Sequence, residues 1–493
     1  RVWESDISSV YKYLSDNYYS TENTKLHIGF YDIEVDFDLS LGLGYPMPEN
    51  PYGSINAISL FDNARKQYHM IMLTDKKINL HDDDHEVICH HCVTERQVLD
   101  TFFDLIHDID VLVDWNGEKF DIPYIMARAD KLYGKRSKSK LCRDGFHIKQ
   151  TNETDTFGNA YIKYTPVGRV HYDMLLFYKK MSFGERQSFS LDSICELELG
   201  MKKVVYDGDL GELYRKDPQT FFEYSLHDVR LLYRLEKKLK YVDLAISMAR
   251  QATVKISDIL GSIRYLEMAI RNYAHFDRDV PLVLPDKDKH DREKFAGAWV
   301  CPPASGVYKY IASIDITSLY PNVIIGLGIS PESFVMQCIR KEEDFIRFVS
   351  GESFDIGLVM IEDGDIVKIN SHDLREVMKS QKFTMSANGS IFDTKIGLIP
   401  EVLRLWFSER KKMKALSKEC YKNGEADKGE YYDMRQQLMK LSLNSLYGAM
   451  SNPYSRFYNI DIAASVTLTG QYVNRFQAYS SDQIMRSRLE SIA

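Results

Sequence analysis

Cysteine is scarce and odd in number: seven in 493 residues, at Cys89, Cys92, Cys142, Cys195, Cys301, Cys338 and Cys420. That scatter excludes a disulfide framework and points to a reducing, cytoplasmic compartment. No stretch approaches the ~20 nearly unbroken apolar residues of a membrane helix. Internal repeats and low-complexity tracts are missing. A secretory leader is missing too, and a start at Arg1 leads us to expect a processed or truncated product. Net positive charge is also lacking, since 63 Lys+Arg against 71 Asp+Glu leaves −8. The whole molecule is therefore not steered toward polyanions, and any polyanion site has to be a local basic surface. What remains is an ordinary globular composition, 44% hydrophobic and 27% charged. It argues against disorder, and at roughly 150 residues per domain the length predicts about three domains.

Residues 1–25 are polar and aromatic without a core-forming strand, and read as the tail of something earlier. His27–Val35, Ser54–Leu60 and Tyr68–Leu73 are apolar runs with strand character, Val98–Ile106 has helical period, and Val111–Trp115 is a short buried strand. That order predicts a mixed α/β sheet. Cys89-His-His-Cys92 has the look of half a zinc site, but no second pair stands at finger spacing, and a strand over Val87–Val93 leading into a helix near Thr94 is the better reading. Asn152–Asn159 predicts a β-hairpin turn, Leu231–Ile270 is mostly helical, Pro281–Lys294 is a connector, and Tyr310–Ile316 is strand-like. Residues 404–440 carry ten basic and six acidic side chains in a helical pattern broken at Asn423-Gly424, which predicts an αα-hairpin of charge +4.

Two constellations carry chemistry. In the first, Asp32-Ile-Glu34 ends a predicted strand, so both carboxylates share a face. Such a pair is costly without cations. Asp121 follows the strand at 111–115, and Tyr224 and Asp228 share a helix face at i, i+4. Four acids on three elements suit two hard divalent cations that activate a water and stabilise the leaving oxygen of a phosphodiester, with Tyr224 orienting the water. In the second, Asp315 ends an apolar run before the turn Ser318-Leu319-Tyr320-Pro321. Arg410 and Lys414 form one helix face, and Lys440, Asn444, Tyr447 and Gly448 another. Cations and an amide opposite an acid suit a triphosphate, and Tyr447-Gly448 offers a flat floor for a base pair.

Asp-x-Glu, Asn116-x-x-x-Phe-Asp121 and Tyr224-x-x-x-Asp228 resemble the three motifs of DnaQ-like 3′–5′ proofreading exonucleases. Asp315-x-x-Ser-Leu-Tyr-Pro321 and Lys440-x-x-x-Asn-Ser-x-Tyr-Gly448 resemble palm motifs A and B of family B DNA polymerases, most of all those of T-even-type bacteriophages. The resemblance runs through the whole chain, including Phe189-Ser-Leu-Asp192, Gly297-Ala-Trp-Val300 and Ser386-Ala-Asn-Gly389. It implies an α/β and α+β multi-domain fold. Residues 1–25 would be a remnant of an N-terminal domain and 26–260 an RNase H-like exonuclease domain. Residues 261–400 would be the first part of the palm, 401–448 a helical-hairpin fingers domain, and 449–493 a palm helix. Two Mg²⁺ or Mn²⁺ per site are implied, held by Asp32, Glu34, Asp121 and Asp228, and by Asp315. Further implied roles are a phosphate cradle at Ser318 and Leu319, exclusion of a ribose 2′-OH by Tyr320, phosphate grips at Arg410, Lys414 and Lys440 supported by Asn444, and a nascent base-pair pocket at Tyr447 and Gly448. The hairpin near residues 152–159 would help move the primer strand. Implied partners are primer-template and single-stranded DNA and deoxynucleoside triphosphates, in the cytoplasm of an infected bacterium, with no membrane.

The pattern departs at one point. Motif A and B enzymes take a second palm acid from a Tyr-x-Asp-Thr-Asp hairpin, which this sequence lacks. Asp207-Gly-Asp209 lies in the exonuclease-like region, and Asp363-Gly-Asp365 reads as a surface turn. A second polypeptide supplying the acid and thumb, with sliding-clamp contacts through that partner, is one explanation. A truncated single chain is another. A stand-alone exonuclease whose polymerase half only binds DNA is a third, and a non-enzymatic DNA-binding module is the bland alternative.

Overall fold

The computed structural model describes residues 4–19, 25–155, 158–182, 186–201, 208–282, 297–309, 313–339, 344–362, 364–395 and 397–490. The chain forms two compact units, one of residues 20–246 and one that joins residues 1–19 to 247–493.

Helix α1 (Ser9–Tyr18) belongs to the second of these units. Within that unit Ser15 of α1, with no exposure, hydrogen-bonds Thr253 at 2.7 Å and Asn272 at 2.8 Å, and Arg271 pairs with Glu4 at 3.1 Å.

Unit 20–246 is built on a six-stranded mixed sheet. Its strands β1 (Ile28–Val35), β2 (Ile55–Asp62), β3 (Gln67–Leu73), β4 (Glu86–Cys92), β5 (Val111–Asp114) and β8 (Val170–Asp173) lie in the order β4-β3-β2-β1-β5-β8. β1 runs antiparallel to β2 and parallel to β5. The β1 residues are fully or largely buried, as expected for an apolar, β-branched central strand. Helix α2 (Glu95–Leu105) starts where predicted, because Thr94 and Gln97 form a capping box. Helices α2 and α3 (Asp121–Tyr133) pack their apolar residues with Tyr31, Ile33 and Ile58. After the short α4 (Ser137–Lys140), strands β6 (Lys149–Thr154) and β7 (Ala160–Thr165) make the expected hairpin. Helices α5 (Met174–Met181), α6 (Leu191–Leu199), α7 (Leu210–Lys216) and α8 (Pro218–Leu239) follow. Asp217 caps α8 and Pro218 opens it. Cys89 and Cys92 stand three apart on β4, so the pleat sends them to opposite faces. Asp207 lies outside the described residues.

Helix α9 (Tyr241–Ala252) bridges the boundary in sequence and α10 (Ser262–Asn272) follows. Most of the predicted connector, residues 283–294, lies outside the described residues. The predicted strand over Tyr310–Ile316 is a correction. Residues 310–312 are outside the description, Ser313–Ile316 is irregular, and Ile314 is 64% exposed. An apolar run becomes a strand only when a neighbouring edge takes its hydrogen bonds, and none does so among the described residues. Beyond α11 (Leu319–Leu327), an antiparallel sheet of β9 (Phe334–Ile339), β10 (Asp355–Met360), β11 (Ile366–Asn370), β12 (Phe383–Met385) and β13 (Ser390–Asp393) has the order β11-β10-β9-β13-β12. α12 (Asp344–Val349) and α13 (Ser371–Gln381) accompany it. Gly364 and Asp365 are exposed between β10 and β11, as a surface turn should be. The αα-hairpin is α14 (Leu398–Lys422) and α15 (Ala426–Met450), broken at 423–425 where Gly424 takes φ 77°. Helix α16 (Ile460–Glu490) closes the described chain. No helix among the described residues is long and apolar enough to cross a membrane.

Candidate active site

The pleat of β1 puts Asp32 and Glu34 on the face they share with Ser59 and Ala57, their partners on β2. Helix α8 is docked to that strand pair by a 2.6 Å hydrogen bond between the buried hydroxyls of Ser59 and Ser225. Asp228 lies three residues on from Ser225, on the same helix face. The result is a cluster in which one ligand oxygen from each of Asp32, Glu34 and Asp228 lies within 4.8 Å of the others. Glu34 and Asp228 are buried and Asp32 is partly exposed. At an effective dielectric of 20, each ionised pair at that spacing repels by about 3–4 kcal/mol. The oxygen-only donor set and the crowding of charge fit a hard divalent cation. Tyr224 sits one turn before Asp228 and is 6% exposed.

Asp121, the fourth predicted acid, is not in that trio. It is the first residue of α3, 4% exposed, with the Ile33 backbone N–H directed at its carboxylate. Burial, followed by the nearby charge of Asp114, raises its pKa well above the carboxylate range. Tyr45, 45% exposed as a residue, has its hydroxyl pKa raised by desolvation and then by the charges of Glu34, Asp32 and Asp121. A cleft of about 400 Å³ opens against Asp32 and Asp228 and is walled by Trp115, Asn116, Leu175 and Phe189. The Trp115 indole N–H donates to the Phe189 carbonyl at 3.0 Å and so holds the Phe189–Leu191 segment at the cleft.

Beneath the cleft lies a polar floor that the motifs do not disclose. Asp114, at zero exposure, accepts from the Tyr31 hydroxyl at 2.8 Å and the Gly117 N–H at 3.1 Å, and bonds His171 Nε2 at 2.6 Å. Asp173 accepts from the N–H groups of Asn116 at 3.0 Å and Glu118 at 3.3 Å. Burial and then Asp114 push Asp173 up to about 6. Burial opposes charge on His171, but Asp114 outweighs it and the imidazole pKa rises. These bonds fix the turn 116–120, where Asn116 takes φ 72°, and thereby the start of α3. Asp114, Tyr45, His171 and Asp173 were missed from sequence. The one available signal was the acid directly before Trp115-Asn116, at the end of a strand.

The second constellation lies wholly in the other unit. Asp315 is exposed on the irregular segment already described. Ser318 takes the left-handed conformation, φ 52° and ψ 48°, immediately before α11, so Leu319 and Tyr320 are the helix's first residues. Their N–H groups have no intrahelical acceptor, which suits a phosphate. Tyr320 packs on Tyr447 with ring centroids 4.7 Å apart, and a Cβ on Gly470 would come within 2.8 Å of the Tyr320 ring. Sequence reasoning did not single out Gly470. Lys440, Asn444 and Gly448 are exposed along α15, Lys414 is exposed on α14, and Arg410 Nε reaches Gln436 at 3.4 Å.

The model for "DNA polymerase family B, exonuclease domain" matches residues 5–194, and that for "DNA polymerase family B" matches residues 274–485. The DNA-directed DNA polymerase of Escherichia phage RB69 is 27% identical over 93% of this chain and 55% of its own length. That of Enterobacteria phage T4 is 28% identical over 73% of this chain and 42% of its own. A DNA polymerase of Pyrococcus glycovorans is 24% identical over 77% of this chain and 43% of its own. The chain thus spans about half the length of these relatives. With both family models matched in chain order, the chain belongs to family B of the DNA polymerases, with that family's exonuclease domain.

Proposed function

We propose that residues 26–260 are an RNase H-like domain that hydrolyses DNA from the 3′ end, and that the remaining residues form part of a template-directed DNA polymerase. The single observation that carries the nuclease reading is the Asp32–Glu34–Asp228 cluster, of which Asp32 and Asp228 line a cleft of about 400 Å³. Asp32, Glu34, Asp228 and Asp121 would hold two Mg²⁺ or Mn²⁺, which when bound supply a nucleophilic hydroxide and neutralise the leaving oxygen. Tyr224 orients the attacking water from the helix face of Asp228. Trp115 and Phe189 wall the cleft for the terminal base, a surface suited to stacking.

In the other half, residues 261–400 and 449–493 are palm and 401–448 are fingers. Asp315 holds catalytic metal, and the N–H groups near Ser318 and Leu319 receive the triphosphate. Arg410, Lys414, Lys440 and Asn444 grip it, Tyr320 rejects a ribose 2′-OH, and Tyr447 with Gly448 floors the nascent pair. The substrates are primer-template DNA and deoxynucleoside triphosphates. The polymerase site further requires a second palm acid, for which a second polypeptide that also makes any sliding-clamp contact is the proposed source, and the setting is a phage-infected bacterial cytoplasm. The exposed, irregular placement of Asp315 favours a second reading, a stand-alone 3′–5′ exonuclease whose polymerase half only binds DNA.

The test uses the purified chain, a 5′-labelled single-stranded oligonucleotide and Mg²⁺. Stepwise shortening from the 3′ end is expected, and Asp32→Asn or Asp228→Asn should abolish it. Undiminished shortening by either variant would refute the site. Robust primer extension by the chain alone would refute the need for a partner.

A further inference from the structure

The β6–β7 hairpin is mostly exposed, yet two of its inward-facing side chains converge on one buried carboxylate in the turn before Asp121. Glu118, 8% exposed, accepts from the Tyr161 hydroxyl at 2.8 Å and from Lys163 Nζ at 2.5 Å. Its neighbour Lys119 reaches the hairpin as well, with Nζ 2.9 Å from Asp155 and lying 5.3 Å over the Tyr161 ring. The main chain of the same turn is tied downward: Asn116 and Glu118 N–H groups donate to Asp173, and the Gly117 N–H donates to Asp114. Phe120 N–H then bonds the Asn116 carbonyl at 3.2 Å and Ile122 N–H the Gly117 carbonyl at 3.1 Å, carrying the turn into α3 and its first residue, Asp121.

We propose that Glu118 is a positioning residue: it latches the β6–β7 hairpin to the turn that presents Asp121, so that the seating of the hairpin is transmitted to the metal-binding acids. This deepens the nuclease reading and rests on it. A buried carboxylate shared between a hydroxyl and an ammonium has no slack, since loss of either donor leaves charge buried and undersatisfied. Lys119, which also reaches the hairpin from this turn, is partly exposed and its ion pair is screened. A hairpin moved by DNA would therefore pull first on Glu118.

The test compares wild type with Glu118→Gln, Lys163→Met and Tyr161→Phe. These changes leave every proposed metal ligand in place, and two of them lie on the hairpin. Single-turnover hydrolysis of a single-stranded oligonucleotide, Mn²⁺ binding by electron paramagnetic resonance, and melting are measured on each. The expected result is a fall in the hydrolysis rate of about tenfold with KM within about twofold, since small misplacements of reacting groups act on the chemical step. Mn²⁺ affinity should weaken severalfold while melting stays within a few degrees. The Glu118→Gln/Lys163→Met double variant should be no worse than its worse single, because both break one latch. Rates and Mn²⁺ affinity within about twofold of wild type in all three singles, or multiplicative losses in the double, overturn the latch. Asp32→Asn separates the two levels. If wild-type hydrolysis and Mn²⁺ binding depend on Asp32 but not on the latch, only the latch fails. If wild type neither cleaves nor binds Mn²⁺, the nuclease reading falls and the latch with it.

Discussion

Gly117→Ala concentrates the physics of the nuclease site in one methyl group. Gly117 does not have a positive φ, so backbone freedom is not the issue. A Cβ built there would lie 2.0 Å from both Cγ and Oδ2 of Asp114 and 2.4 Å from Oδ1. A carboxylate on a flexible, exposed side chain would swing aside at little cost. Asp114 cannot, because it has no exposure and is held by Tyr31, His171 and the Gly117 N–H. Relief means either breaking these bonds or moving the turn 116–120. Net losses of about 1.5–3 kcal/mol per bond to a charged group, together with overpacking strain of about 1–3 kcal/mol, give a destabilisation of at least about 3 kcal/mol. In a unit spanning residues 20–246, that corresponds to a fall in Tm of about 6–12 °C. Differential scanning calorimetry of the purified chain reads the shift. The 3′-hydrolysis assay should show a parallel loss of rate, since Asp121 follows the displaced turn. The Asp114→Ala/Gly117→Ala double variant removes the obstacle, so its cost should fall short of the sum of the singles by about 0.5–3 kcal/mol. A Gly117→Ala protein with wild-type Tm and rate, or strictly additive singles, would refute the reasoning.

Two further outcomes follow from other buried groups. Glu236 accepts the Val242 N–H at 3.0 Å on both oxygens, and burial pushes its carboxyl up to about 8. The folded state therefore holds a proton that the unfolded state releases above the ordinary carboxyl value of 4.5. This group's contribution to stability declines as pH rises from 4.5 to about 8, by up to about 1.4 kcal/mol per pH unit, and Glu236→Gln should flatten the fall in Tm across that window. An unchanged slope would count against the burial of this carboxyl. Arg128 Nε donates to Glu95 at 2.6 Å and Nη2 makes a second, parallel bond, with Glu95 8% exposed. Arg128→Met should cost about 3–5 kcal/mol in denaturant unfolding by stranding that carboxylate, and Glu95→Gln/Arg128→Met should recover part of it.

Some features were legible because they are local. The two-residue period of a strand determines that Asp32 and Glu34 share a face, and the i, i+4 spacing does the same for Tyr224 and Asp228. Thr94 with Gln97 and Asn423-Gly424 set helix ends through hydrogen bonds and φ preferences that act within four residues. The run at Tyr310–Ile316 misled because a strand needs a partner edge, which no local pattern contains.

What only the tertiary structure decided is which acids meet and what lies beneath them. Asp228 joins Asp32 and Glu34 because Ser225 docks α8 on Ser59, across 166 positions of sequence. Asp121 instead accepts from the Ile33 backbone N–H, close to the unfavourable like charge of Asp114. The floor of Asp114, His171 and Asp173, like the hold of Glu118 on the hairpin, depends on strands β5, β7 and β8 and the turn at 116–120 arriving side by side. Periodicity encodes the direction a side chain faces, whereas the partner it finds there depends on how the sheet is ordered and closed over.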